Sequence, residues 1–509
     1  LRSPLIFYLM STIWGSHHNY VFDKATCFVN GKEDASVTIS WDSEVWAPIV
    51  KGLTTYKTRC DLYFKEETDL DRCYEQYGED TIQCGILAEA DDTGKCPKVN
   101  EDGTVEIISS ESTNGYLCSA PDDYGTSYYF RGNVENNWVK FAGYYWRILR
   151  INGDDSIRMI YAGDASVIDS LDNKEEVLKN GYDDGDTVYT QIGASAYNSS
   201  SDDNAYVGYM YGNRDGIVES NISGPTHSHS ATSTKYYAKE YTYDAAKDLF
   251  TLKDPVGLLG TEITEDYVGW YTLNRSNANS SATYVYKVTS VKPSDGSSDA
   301  KVGYSYVTYG TTSKEKAQTN TNDSTIKEKV DEWYESHIKD TEYEQYISDT
   351  LFCNDRSLGS NTDSTLTFSQ LAYGAEPTKY RLYSPNPGIR LTCVQQNDRF
   401  TVNDESIGNG DLTYPIGLLT TDEAYLAGGT GGISNYDYYL YTGNSYWTMS
   451  PYYFYSTAAY VREVNLDGKP SNNDSVINSR GVRPVINLKP NSLKQGDGSA
   501  SNPYQLSIE

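Results

Sequence analysis

Apolar residues in this chain come in short runs broken by turn residues, and their spacing predicts strands far more often than helices. Residues 5–14 (LIFYLMSTIW) are apolar on both faces of a strand, so such a strand must be covered on two sides. It completes its own sheet or is donated to a neighbour's. The side chains concerned are Leu5, Ile6, Phe7, Tyr8, Leu9, Met10, Ile13 and Trp14. Alternation in Ala35-Ser36-Val37-Thr38-Ile39 and in Cys60-Asp61-Leu62-Tyr63-Phe64 predicts a small β module over 20–65, with Trp41 and Trp46 in its core. Residues 66–125 are acidic, dense in cysteine and carry turn signals such as Glu101-Asp102-Gly103, which reads as a loop-rich connector held by bridges.

From residue 126 to the end, strand signals dominate a larger domain. Trp138–Phe141, residues 144–151 and residues 156–161 are three strand-like runs, separated by Gly143 and by the Asn152-Gly153 turn. Ala205-Tyr206-Val207-Gly208-Tyr209 is echoed by Ala300-Lys301-Val302-Gly303-Tyr304. The residues between, 213–299, read as an inserted β subdomain with strands near 240–252, 267–273 and 283–291. One helix is clear: Ile326, Val330, Trp333 and Ile338 fall at helical spacing, with Thr325 and Glu328 as a capping box. A second short helix is expected over 342–351. The fold class is therefore mainly β with a few helices (α+β), in a multidomain chain: 1–19, 20–65, 66–125 and 126–509 with its insertion.

A chain of 509 residues exceeds what one hydrophobic core supports. Its 42 Lys and Arg against 71 Asp and Glu give a net charge of −29, and it has no basic stripe. That excludes nucleic acid as a partner and disfavours anionic lipid. Neutral glycans, proteins and cations remain. Tyrosine is the outlier, with 48 copies against 11 Phe and 4 Met. It favours strands and presents a packing ring with a wettable hydroxyl. Together with the abundant Gly, Ser, Thr and Asn, it suits a secreted β-rich protein. No apolar run reaches the roughly 20 residues of a membrane span. The chain begins with Leu and ends without a wall-sorting tail, so attachment at a cell surface is expected through the N-terminus or self-assembly.

Eight cysteines, Cys27, Cys60, Cys73, Cys84, Cys96, Cys118, Cys353 and Cys393, are even in number and dispersed, without CxxC pairs. This pattern fits disulfides better than zinc. The expected bridges are 27–60, 353–393 and two among the middle four.

Candidate chemistry is sparse. Ser324-Thr325-Ile326-Lys327 matches SxxK, but the companion elements of that serine chemistry are missing, and a serine at a helix start caps it. His227-Ser228-His229 places two imidazoles on one side of a strand without a third ligand nearby. The clusters Asp154-Asp155, Asp183-Asp184 with Asp186, and Asp202-Asp203 are oxygen-rich enough for Ca²⁺ but lack EF-hand spacing, so they read as solvated turns. A carboxylate pair for glycoside hydrolysis is not identifiable among 71 acids. No cofactor is implied.

The densest aromatic block is Tyr446-Trp447-Thr448-Met449-Ser450-Pro451-Tyr452-Tyr453-Phe454, followed by Arg480-Gly481-Val482-Arg483-Pro484-Val485-Ile486-Asn487-Leu488. It reads as a closing sheet, a contact surface, or both. Trp447, Tyr452, Tyr453 and Tyr455 are the candidate ligand contacts.

Several stretches resemble a large family of surface and secreted proteins of gut Gram-positive bacteria, some of them pilin-like. They are residues 114–118, 128–132, 138–161, 322–334, Phe352-Cys353-Asn354-Asp355-Arg356-Ser357, 412–423 and 447–504. The module around Trp41 and Cys60 resembles a small β repeat of the same proteins. The run 446–488 is similar to the end of formylglycine-generating-enzyme and C-type-lectin-like domains. That enzyme depends on cysteines near its C-terminal region, and no cysteine follows Cys393 here. The resemblance implies a lectin-like scaffold without the oxidase activity. The expected role is a non-enzymatic, extracellular adhesive protein that self-assembles as a filament or pilus-like subunit and displays a domain to a glycan or protein ligand. The alternatives are a monomeric binding module and a carbohydrate-active hydrolase.

Overall fold

A computed structural model describes residues 20–42, 47–53, 56–90, 95–106, 115–181, 188–201, 203–212, 317–358, 389–431, 433–455, 458–470 and 472–507, plus the backbone of strands within 227–308 and 370–372. The proposed assembly strand, residues 5–14, and Trp46 lie outside these, as do residues 183–186 and Asp202. The chain divides into two compact units, Leu1–Ala88 and Glu89–Glu509.

In the first unit, β1 (Tyr20–Val29) pairs antiparallel with β2 (Lys32–Glu33) and β5 (Thr58–Glu66), while β3 (Thr38–Asp42) pairs with β4 (Ala47–Lys51). Trp41 stacks on Phe22 at 5.9 Å and meets the edge of Phe64 at 5.0 Å, so this tryptophan anchors the module as expected. Directly paired across β1 and β5, Cys27 and Cys60 form a disulfide. The next segment opens with two helices, α1 (Asp69–Tyr77) and α2 (Ile82–Leu87), and is irregular over residues 95–106. Thr68 starts α1 with a capping box to Asp71, and Cys73–Cys84 clips the two helices together. Acidic residues near an N-terminus favour a helix, a signal that the turn reading overlooked.

The second unit is organised by a seven-stranded antiparallel sheet. Its order is Ile416–Gly417, Val485–Leu488, β10 (Ile157–Asp164), β9 (Tyr144–Ile151), β7 (Thr126–Arg131) and β6 (Tyr116–Pro121), with β8 (Trp138–Phe141) also on β9. Seven of the eight residues in each of β9 and β10 are buried, which explains their near-continuous apolar sequence. Helix Thr325–His337 covers one face, setting Trp333 against Trp146 and Tyr161. Ser324, not Thr325, caps this helix: its hydroxyl accepts from the Lys327 amide, and N3 is therefore lysine rather than the glutamate of a capping box. The helix expected over 342–351 is a single 3-10 turn, Glu344–Tyr346.

A second sheet runs Ala194–Ala196, Ser479–Gly481, Tyr446–Tyr455, Ala458–Val464 and Asn472–Ser475. Backbone pairing in the inserted region gives a sheet of its own, in the order His227–His229, Ala300–Thr308, Tyr284–Lys292, Gly269–Asn274, Tyr236–Asp244 and Leu249–Leu252. The sequence echo is not a structural repeat. Residues 300–308 are a strand, whereas Asn204–Val207 is a 3-10 turn. The architecture is mainly β with a few helices. The remaining bridges are Cys96–Cys118 and Cys353–Cys393, and no cysteine is free.

Candidate functional site

Most described side chains of the closing aromatic block are buried. Trp447 has no exposed surface; its indole N–H donates to the Ser195 carbonyl at 2.9 Å, and its ring meets Tyr197. Tyr452 is only 6% exposed and lies under the Arg462 guanidinium at 3.8 Å. These two residues are therefore corrected from ligand contacts to packing residues, because their strand sits inside a sheet covered by its neighbours. Tyr453 is half-buried and stacks on Tyr460 at 4.7 Å. The Tyr455 side chain lies outside the described residues.

The SxxK pair is likewise built into the fold. The Ser324 hydroxyl donates to the Tyr209 carbonyl at 2.7 Å, while the fully buried Lys327 ammonium lies 2.6 Å from Asp331 and 3.1 Å from Asp323. Burial raises the Asp331 carboxyl to about 6, and Lys327 partly opposes the rise. The histidines of His227–His229 sit on a described backbone strand; among the described residues no His, Cys, Asp and Glu cluster is suited to a metal.

What sequence reading missed is a set of arginines inside the second unit. Arg131, Arg147, Arg150, Arg158, Arg356 and Arg483 are each at most 7% exposed. Such groups persist only when paired or hydrogen-bonded. Arg158 and Arg150 share Glu423, at 2.5 and 3.2 Å, and Arg150 also reaches Asp122 at 2.9 Å. Arg356 pairs with Asp398 at 2.6 Å. Arg147 has a different arrangement: Nε donates to Asn137 Oδ1 at 2.6 Å, Nη2 donates to the Val134 carbonyl, and the guanidinium lies 4.1 Å from the Trp138 ring centre. The signal was present in the sequence: Arg147 and Arg150 interrupt a run otherwise apolar on both faces.

Val134, whose carbonyl Arg147 holds, lines a groove of about 510 Å³ in the second unit. That is within the range of about 300–1,000 Å³ typical of small-molecule sites. Three segments build it. Glu89 and Ala90, with Lys95, form one wall; Gly115 and Tyr116 at the start of β6 form a second; the turn carrying Asn133, Glu135 and Asn136 forms the third. Leu117, Phe130 and Val134, all buried, contribute apolar lining.

Each wall is fixed. Cys96–Cys118 ties the first to β6, and Ala90 bridges Leu117 in parallel. Asn136 donates to Glu89 at 3.0 Å, joining the first wall to the third. Gly115 admits close approach, since a Cβ there would lie 2.8 Å from the Asn133 carbonyl oxygen. Behind the third wall, Gly498 has a φ of +79°, and a Cβ there would meet the Asn136 carbonyl oxygen at 2.2 Å. Lys95 lies 5.2 Å from the Tyr116 ring centre, a cation–π distance. The groove thus offers carboxylates, amides and an aromatic edge on a pre-shaped frame. Among the described residues its lining holds no His, Cys, Ser or Thr.

Residues 419–490 match the model of a family described as a domain of unknown function (DUF6273). No curated protein matches the chain, and no solved structure does. The matched stretch contains the closing aromatic block, Glu423 and Arg483. It covers the internal framework, whereas the groove is built from residues earlier in the chain.

Proposed function

We propose that this protein is an extracellular, non-catalytic binding protein of adhesive type, and that the groove between Glu89, Tyr116 and Asn136 is its recognition face. The observation that carries this reading is the groove's fixed frame: a disulfide, a buried arginine and an inter-wall hydrogen bond hold polar groups in place before any ligand arrives. Recognition gains affinity from such preorganisation because less ordering remains to be done on binding. Four disulfides with no free cysteine are compatible with an oxidising, extracellular setting. Among the described residues no helix is long and apolar enough to cross a membrane. The SxxK pair does not favour a serine hydrolase, because the Ser324 hydroxyl donates to the Tyr209 carbonyl and Lys327 is paired with Asp331 and Asp323; polysaccharide turnover lost in Glu89→Gln or Glu135→Gln would favour a glycoside hydrolase instead.

Saturation binding of fluorescently labelled protein to intact bacterial and epithelial cells tests this, comparing wild type with Glu89→Ala/Asn136→Ala. The proposal expects saturable binding that the double variant loses while its melting temperature holds. Equal binding by the two proteins would remove the groove from the account.

A further inference from the structure

Resting on the groove as the recognition face, we infer that its ligand is an uncharged, hydroxyl-rich saccharide. The charge pattern comes first. Two carboxylates, Glu89 and Glu135, line the groove against one ammonium, Lys95, and the whole chain carries −29. An acidic glycan, phosphate or sulfate would bring like charge to within a few ångströms of those carboxylates, where repulsion is little screened.

Hydrogen-bonding capacity narrows the class further. Ionised carboxylates only accept, whereas the side-chain amides of Asn133 and Asn136 both donate and accept. A ligand that satisfies all four must supply donors and acceptors side by side, as vicinal hydroxyls do. An apolar ligand would strip water from these groups and return no hydrogen bonds, at a cost of about 1–3 kcal/mol for each group left unpaired. A cationic peptide would suit the two carboxylates but would bring like charge against Lys95. Tyr116, partly exposed in the groove, offers a ring to the C–H face that a pyranose presents between its hydroxyl rims, with the buried Leu117, Phe130 and Val134 behind it.

Asn136 is the key side chain. Its amide donates to Glu89 Oε2, so the bond joins two residues that line the groove. Sugar hydroxyls can accept from the second N–H of that amide and donate to the other oxygen of the Glu89 carboxylate, leaving the direct bond in place.

The test uses the full chain on an array of neutral, sialylated and sulfated saccharides, with a lysine-rich peptide alongside. Hits are followed by titration calorimetry of wild type, Asn136→Ala and Glu89→Gln. Neutral saccharide hits are expected, weakened about tenfold or more in each variant. Their affinity should hold from roughly 0.05 to 0.5 M salt, because no ion pair is being screened. Hits confined to acidic saccharides or to the peptide, or hits that fade with salt, overturn the saccharide class. So does an empty array when the cell binding described above is still lost in Glu89→Ala/Asn136→Ala. Neutral hits untouched by either variant overturn the groove itself, and with it the proposed recognition face.

Discussion

Replacing Glu423 with glutamine leaves the shape of the second unit's interior unchanged and removes the carboxylate that two buried guanidiniums share. Arg158 is 1% exposed, the side chains of Glu423 and Arg150 are 5% and 8% exposed, and Arg158 Nε lies 2.5 Å from Glu423 Oε1. The same carboxylate accepts from the Thr420 amide at 2.8 Å as part of a capping box for helix Thr421–Leu426. Glutamine retains that acceptor, so the change isolates charge from capping. Breaking a buried ion pair by removing one partner costs about 3–5 kcal/mol. At a urea dependence of about 3 kcal/mol per molar, this lowers the unfolding midpoint by about 1 M or more. Near-ultraviolet circular dichroism reads the transition through the buried Trp146 and Trp447.

Burial pushes the Glu423 carboxyl upward, but Arg158, Arg150 and the Thr420 amide outweigh it and hold the group below its ordinary 4.5. A depressed folded-state value stabilises above the unfolded pKa and is lost as pH falls through the folded one. The gap between wild type and Glu423→Gln therefore narrows below about 4.5. A midpoint for Glu423→Gln within about 0.2 M of wild type at neutral pH would refute the ion-pair reasoning.

Three further outcomes are expected. Asp331→Asn should flatten the pH dependence of stability between 3.8 and about 6, the interval between the ordinary and raised values of its carboxyl. In that window the folded state binds the extra proton, so the wild-type contribution falls as pH rises; thermal melts across the range check it. Ser324→Ala loses a helix cap and the bond to the Tyr209 carbonyl, with an expected cost of about 1–2 kcal/mol by urea unfolding. Cys96→Ser/Cys118→Ser should cost about 3 kcal/mol and weaken cell binding, since that bridge joins the first groove wall to β6.

The framework was far more legible in the sequence than the site. Residues 138–161 resolved into β8, β9 and β10 because both faces of the sheet are covered, leaving long apolar runs cut by Ala142-Gly143 and Asn152-Gly153. All four disulfides fit the expected scheme, since spacing alone separated the outer pairs from the middle four. The buried arginines were missed because charge is ordinarily read as surface. Only their position inside two-faced apolar strands marks them otherwise. The groove had no local signature: its walls come from Glu89, Ala90 and Lys95, from residues 115–117 and from 130–136, brought together by β6 pairing with β7 and by a bridge whose partners are 22 residues apart. Tyr452 and Trp447 drew attention for the opposite reason. Aromatic density signals either core or contact, and here the sheet's neighbours decide for core.

Carbodiimide labelling of surface carboxylates, read by mass spectrometry, tests the recognition face most directly. The protein is labelled free in solution and again when bound to the cells that retain it. Glu89 and Glu135 line the groove, while the Glu335 side chain on helix Thr325–His337 is 58% exposed and serves as the internal reference. Protection of Glu89 and Glu135 on binding, with Glu335 labelled equally in both states, is the predicted result. Equal labelling of Glu89 and Glu135 in the free and bound protein would contradict the groove as the recognition face.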